Sequence, residues 1–268
     1  MINYGKYPLL GINISAVDYE YSVAEIIKAA HDNRPLAVSA LAVHGVMTGY
    51  LDQVQRRRIN GLDLVLPDGQ PVRWGLNWKH KLKLLNRVYG PELMLRVINA
   101  AANEKIPFYL YGSTEQTINL LKKNLQNKSS NLIIAGMTPS KFRRITINEK
   151  EEIVEKIKAS GAKIVLVGLG CPRQEVWVFE YRNLLKMPLL AVGAAFDFHA
   201  GVLNQAPPWM QKNGLEWFYR FLQEPRRLFK RYVVLNPYYL LLLFLEVLGL
   251  RHIPVLLPTG KEPEKKFG

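Results

Sequence analysis

The chain has a single cysteine, Cys171, in 268 residues. One thiol excludes an internal disulfide framework and a cysteine-built zinc site, and it suits a reducing compartment. Acidic residues are scarce too: 22 Asp and Glu against 36 Lys and Arg leave a net charge of +14. Such an excess calls for an anionic partner, whether nucleic acid, anionic lipid or a diphosphate, and charge alone does not choose among them. No Asp-X-Asp triplet occurs, so a paired-carboxylate clamp for a divalent metal is missing. No metal site and no cofactor is predicted. Long apolar runs are also lacking. The longest, Tyr238 to Leu250, is broken by Glu246 and is shorter than the roughly 20 residues that cross a bilayer; it predicts a core or interfacial helix. Met1 to Gly11 lacks the basic start, apolar stretch and cleavage site of a signal peptide, and a cytoplasmic protein is expected. There is no internal repeat.

Nearly half the residues are apolar (49%), and their order carries the fold. Short apolar runs predict strands at Leu36–Ser39, Leu62–Leu66, Phe108–Tyr111, Leu132–Ala135, Ile164–Val167 and Leu189–Val192. Amphipathic stretches between them predict helices at Val46–Ile59, Pro91–Glu104, Glu115–Gln126, Asn148–Ser160 and Arg173–Leu185. This order predicts an α/β fold: a mainly parallel sheet with helices on both faces. Ligands of such sheets bind beyond the carboxyl ends of the strands. After Gly201 the alternation stops and a helical, aromatic, basic segment begins. The predicted division is therefore a sheet domain over residues 1–204 and a C-terminal appendage over 205–268. Residues up to about Gln205 are expected to fold alone, and Thr259–Gly268 to fray.

Four strand-end loops can carry chemistry. In Pro67-Asp68-Gly69-Gln70-Pro71, Gly69 allows a sharp turn and Pro71 suits a helix start. Asp68 is there either a general base or a plain turn residue. Gly69 and Gln70 are substrate-binding candidates beside it. In Gly168-Leu169-Gly170-Cys171-Pro172-Arg173-Gln174-Glu175, two glycines permit close approach. Pro172 fits the first helical position, and free amides at the helix start suit a phosphate. Gly168, Gly170, Arg173 and Gln174 are the candidates. The third position of a full GxGxxG is Arg173, which weakens that fingerprint. Tyr111-Gly112-Ser113-Thr114 offers Gly112 and an N-cap. Around Gly193 to Gly201, Asp197 and His199 are too few ligands for a metal and are expected to be structural or pocket-lining. At the first strand, Ser39 is a candidate catalytic hydroxyl and His44 a candidate donor ligand.

In the appendage, Trp217, Phe218, Phe221 and Leu222 recur at helical spacing, interleaved with Arg220, Arg226, Arg227, Lys230 and Arg231. That pattern fits an anionic membrane surface or a guanidinium clamp on a diphosphate. Two other readings start from the same facts. A nicotinamide-dependent oxidoreductase would want a fuller glycine fingerprint. A nucleic-acid-binding module would show affinity that falls steeply with salt.

Five ordered stretches, PDGQPVRW, RVYGPELM, VGLGCPRQEVW, AVGAAFDFHAG and GLEWFYRFLQEPRRLFKRY, resemble the WecG/TagA/CpsF glycosyltransferases. The resemblance runs from about residue 8 to residue 240, and it makes both alternative readings, nucleic acid included, the weaker ones. It implies a Rossmann-like α/β catalytic domain and a C-terminal appendage that completes the active site at the inner face of the membrane. It implies an inverting, metal-independent transfer from a UDP-sugar to a polyprenyl-diphosphate-linked saccharide. By motif, Asp68 falls on the family's base, Gln174 near the donor, and Arg220, Arg227 and one of Lys230 or Arg231, Arg231 being the choice here, on the diphosphate. Members that use N-acetylmannosamine usually carry Thr-X-Asn after the first strand. Here Ser39 stands for the threonine and Leu41 for the asparagine, which turns the resemblance toward the exopolysaccharide branch. A uronic acid donor there would use a cation such as Arg73 or Arg87. Homo-oligomerisation stays open.

Overall fold

The structure, a computed structural model, describes residues 1–129 and 131–268. It opens on an antiparallel hairpin of β1 (Asn3–Leu9) and β2 (Ile12–Val17). The two turn residues, Leu10 and Gly11, both have positive φ, 50° and 78°, the backbone that a two-residue hairpin turn demands. Helix α1 (Tyr19–His31) follows, its first turn capped by Asp18, which accepts from Tyr21 N at 2.8 Å. Neither element was expected. The chain then runs β3 (Leu36–Leu41), α2 (Val43–Leu51), α3 (Gln53–Asn60), β4 (Leu64–Pro67), α4 (Gln70–His80), α5 (Gly90–Asn103), β5 (Phe108–Gly112), α6 (Glu115–Lys128) and β6 (Ile134–Thr138). It continues through α7 (Ile147–Ala159), β7 (Ile164–Gly168), α8 (Arg173–Tyr181), β8 (Pro188–Ala191) and α9 (Ala195–His199). The last elements are α10 (Pro208–Lys212), α11 (Glu216–Gln223), α12 (Pro225–Phe229), a π-helical turn (Lys230–Leu235) and α13 (Asn236–Val247).

Among the described residues, strands β3 to β8 form one parallel sheet in the order β4-β3-β8-β7-β5-β6. Alternate residues of each strand feed two cores. Ala37, Val65, Val165 and Leu189 pack with helices α2, α3, α7 and α8 on one face. Val38, Leu66, Leu166 and Leu190 pack with α1, α5, α6 and α9 on the other. Burial on both faces is why these strands read as unbroken apolar runs rather than alternating ones. The expected α/β architecture is the one observed. The single helix expected over Val46–Ile59 is two helices. Asp52 takes an extended backbone between them and caps α3 through Val54 N and Gln55 N at 2.8 and 3.1 Å.

The C-terminal segment does not hang free. Tyr239, Leu242 and Leu243 of α13 enter the core beside α4, all at 2% exposure or less. Glu246, also buried, pairs with Lys79 at 3.0 Å and accepts from Leu10 N at 3.0 Å. Beyond α13 the chain straps across the sheet domain. Leu256 O accepts from Asn60, Glu264 pairs with Lys150, and Lys266 O accepts from Ile145 N at 2.8 Å. The fraying expected of Thr259–Gly268 is thus replaced by a seated tail. Burying those three side chains of α13 contributes about 5–9 kcal/mol at 1.5–3 each, comparable with a whole domain's stability. A chain ending at residue 204 should therefore lose cooperative thermal unfolding by circular dichroism, rather than survive as a folded core.

Candidate functional site

A cavity of about 640 Å³ opens at the carboxyl ends of β3, β4, β5, β7 and β8. Its other wall is the appendage: Trp217 and Arg220 of α11, Arg227 of α12, and Arg231 and Tyr232 of the π-helical turn. Of the residues expected at the site, His44, Asp68, Gly69, Gln70, Gly168, Gly170, Arg173, Gln174, Arg220, Arg227 and Arg231 all line it. Ser39 and Gly112 do not. Ser39 is fully buried and donates its hydroxyl to Glu175 Oε1 at 3.0 Å. A hydroxyl so placed cannot touch a substrate, which corrects the expected catalytic role. Gly112 has φ +112°, and a Cβ there would press on the Gly168 backbone at 2.8 Å; it is needed for the close approach of β5 to β7.

Asp68 follows the last strand residue, Pro67, and its Oδ1 accepts from Gly90 N, the first residue of α5, at 3.0 Å. Its other oxygen remains accessible at the cavity. Burial pushes its pKa up to about 6, with Glu216 adding to the rise; Arg87, the Gly90 amide and Arg220 oppose it. A carboxylate at that value is mostly ionised at neutral pH yet basic enough to take a proton. His44 lies in the first turn of α2, just past β3, with its Nδ1 buried and unpartnered. Burial first, then Arg231, lowers its pKa to about 4. It is a neutral hydrogen-bonding group at any physiological pH.

The glycine loop departs in detail from its expectation. Pro172 caps α8 rather than opening it, and the Gln174 amide is already given to Gly170 O at 3.0 Å. The helix start is thus less free to hold an anion than its sequence implies. Beneath it, Glu175 is almost wholly buried and accepts from both Ser39 and Gln174 Nε2, the latter at 2.9 Å. Burial raises its pKa. This carboxyl sets the Gln174 side chain against Gly193, where a Cβ would meet Gln174 Oε1 at 3.2 Å. Cys171 also lines the cavity, and burial raises its thiol pKa well above normal, which keeps it protonated at neutral pH. Asp197 faces the cavity, whereas His199 is tied to Pro91 O at 2.9 Å. The two do not converge as a metal pair.

The cavity mixes five arginines (87, 173, 220, 227, 231) with five carboxylates (68, 175, 197, 216, 224), so pairing decides which cations are free. Arg87 pairs with Glu216 at 2.5 Å. Glu224 holds Arg227 at 2.6 Å and lies 3.9 Å from Arg220. Among the described residues, Arg173 and Arg231 have no carboxylate partner. Arg231 is half-buried, and burial lowers its pKa, so its guanidinium is an unpaired cation at the cavity wall. Sequence reasoning passed over Glu175 and Glu216, and it offered Arg87 only as a donor contact. Arg73, offered with it, points away and donates to Leu84 O at 3.2 Å.

At the carboxyl edge of a parallel α/β sheet, one glycine-rich cavity thus gathers a half-buried carboxylate, Asp68, and two arginines without carboxylate partners among the described residues, Arg173 and Arg231. The chain belongs to the glycosyl transferase WecG/TagA/CpsF family, whose family model matches residues 7–253. It is therefore a glycosyltransferase, of a family that takes a sugar donor and a lipid-linked acceptor in building cell-envelope polysaccharide.

Proposed function

We propose that the chain transfers a hexose-type sugar from a UDP-sugar to a polyprenyl-diphosphate-linked saccharide by a single inverting displacement. Asp68 takes the proton from the acceptor hydroxyl as that oxygen attacks the anomeric carbon. The carbon–oxygen bond to UDP breaks, and the leaving diphosphate is met by arginines rather than by a metal. Holding both substrates in one cavity supplies the orientation. The observation that carries this reading is that Asp68 and Arg231, an arginine with no carboxylate partner among the described residues, line the same cavity, one wall of which is the appendage. Leu41, where N-acetylmannosamine-using relatives usually have asparagine, sits at the cavity's edge with its side chain buried in the core, and its presence favours the exopolysaccharide branch. The test is a panel of UDP-sugars with a short lipid-diphosphate acceptor, scored for product by mass spectrometry. Transfer from one UDP-sugar supports the reading; turnover with none of them, together with no UDP binding, removes it.

The acceptor's lipid explains the appendage's outer surface. The continuous helix Pro225–Val247 is, by length and composition, long and apolar enough to cross a membrane. Crossing would strip Tyr239, Leu242, Leu243 and Glu246 from their buried places. The helix instead rests on the sheet domain and turns Leu240, Leu241 and Phe244 outward, continued by Leu248 and Leu250 just past its end, each more than half exposed. We place that face in the headgroup boundary of an anionic leaflet on the cytoplasmic side, with the basic residues of α12 above it. Replacing Leu241 and Phe244 together by Asp should abolish sedimentation with anionic vesicles. Turnover of a short-chain soluble acceptor should change less than about threefold.

A further inference from the structure

Arg87 lies between two carboxylates that belong to different parts of the chain. Asp68 is at the end of β4; Glu216 begins α11 in the appendage, 129 residues from Arg87. The guanidinium is committed to Glu216 at 2.5 Å, with both side chains 12% exposed or less. It is also stacked on the Tyr89 ring at 4.1 Å. The Asp68 side chain has only the Gly90 amide as a hydrogen-bond partner among the described residues. A guanidinium as enclosed as this one is costly to leave without a carboxylate partner. With α11 absent from its seat, Asp68 is the carboxylate that remains near Arg87, and pairing there would consume the lone pair that a base needs.

We propose that Glu216 is a positioning residue: by holding Arg87 in an ion pair across the cavity it leaves the Asp68 carboxylate unpaired, so that Asp68 works as a base only while the appendage is seated. The inference rests on Asp68 as the base of the proposed transfer. The groups around Asp68 agree with it. Glu216 raises its proton affinity, while Arg87 and Arg220 lower it. Tyr19 and Tyr89, which also face Asp68, stay protonated because burial raises both. The arrangement makes seating of the appendage, where lipid-linked acceptor would arrive, a condition for proton transfer. Hydrolysis of the donor by an open enzyme is thereby suppressed.

The test follows Asp68's protonation in two ways on the full chain. The first is the acidic limb of kcat/KM. The second is independent of activity: the difference in Tm between a protein and its Asp68→Asn derivative, measured against pH. Glu216→Gln should move both inflections to lower pH by about one unit, a tenfold fall in proton affinity, and should lower kcat while leaving the donor KM within about twofold. Glu216→Asp, which keeps the charge, should hold both near the parent positions. Arg87→Gln approaches from the opposite side, and should move both to higher pH even if Glu216→Gln unseats the appendage and melts early. If neither inflection moves in either variant, the proposal is overturned. A shifted stability inflection with an unmoved kinetic limb overturns it too, and assigns the failure to Asp68 as base rather than to the ion pair.

Discussion

Asp68→Asn should lower kcat by roughly 10²- to 10⁴-fold, the usual contribution of a positioned base, with UDP affinity nearly unchanged. The amide keeps an oxygen for the Gly90 N–H and keeps the side chain's shape, so the loss is chemical rather than structural. The same substitution should stabilise the protein, and the sign can be worked out. The native value of about 6 lies above the ordinary aspartate value. The native state therefore binds that proton more tightly than the unfolded chain does. The resulting stabilisation is full below about pH 4 and is lost as pH rises through 6. Above that, the ionised group is a cost. A two-unit shift corresponds at most to about 3 kcal/mol, and for a half-buried side chain about 1–2 kcal/mol is the better figure. Asp68→Asn should raise Tm by about 2–6 °C at pH 8 and hardly at all at pH 4. A turn residue with no catalytic task would show the stability change without the kinetic one.

The second large effect is expected at Arg231. Its guanidinium lies in the cavity without an ion-pair partner among the described residues, in a place where burial already opposes its charge. In the proposed transfer, the substrate diphosphate would be its partner. Removing one preorganised charge donor of this kind costs about 10²- to 10³-fold in turnover. Arg231→Gln should fall in that range. Arg231→Lys should recover little of it, because an ammonium cannot reproduce the two-pronged contact with a diphosphate. Arg227, more than half exposed and already paired to Glu224, should tolerate the same change with a loss of about tenfold or less. The ordering of the two variants, measured as kcat/KM, is the result to look for.

How much of this was legible in the sequence depended on distance along the chain. The sheet strands announced themselves because burial on both faces makes each an unbroken apolar run. The opening hairpin did not. Its turn is Leu-Gly, where Asn-Gly or Asp-Gly would have signalled the positive φ, and Pro8 stands just before the turn. Helix α1 could have been found from Asp18 as an N-cap ahead of Val23, Ile26 and Ile27. Asp68 was readable because a strand, a glycine and a proline frame it within a few residues. Arg87 and Glu216 were not, since what each does exists only as a pair between remote segments. Ser39 misled in the opposite way. A hydroxyl at a strand end suggests a ligand, but the strand's pleat aims it at the buried carboxyl of Glu175 rather than into open cavity space.

The central claim is a direct displacement with Asp68 as base, and its most direct measurement is the anomeric configuration of the transferred sugar. Nuclear magnetic resonance of the purified product should show the linkage inverted relative to the UDP-sugar donor, with product formation lost in Asp68→Asn. A retained configuration, or unimpaired inversion without the Asp68 carboxylate, would contradict the account.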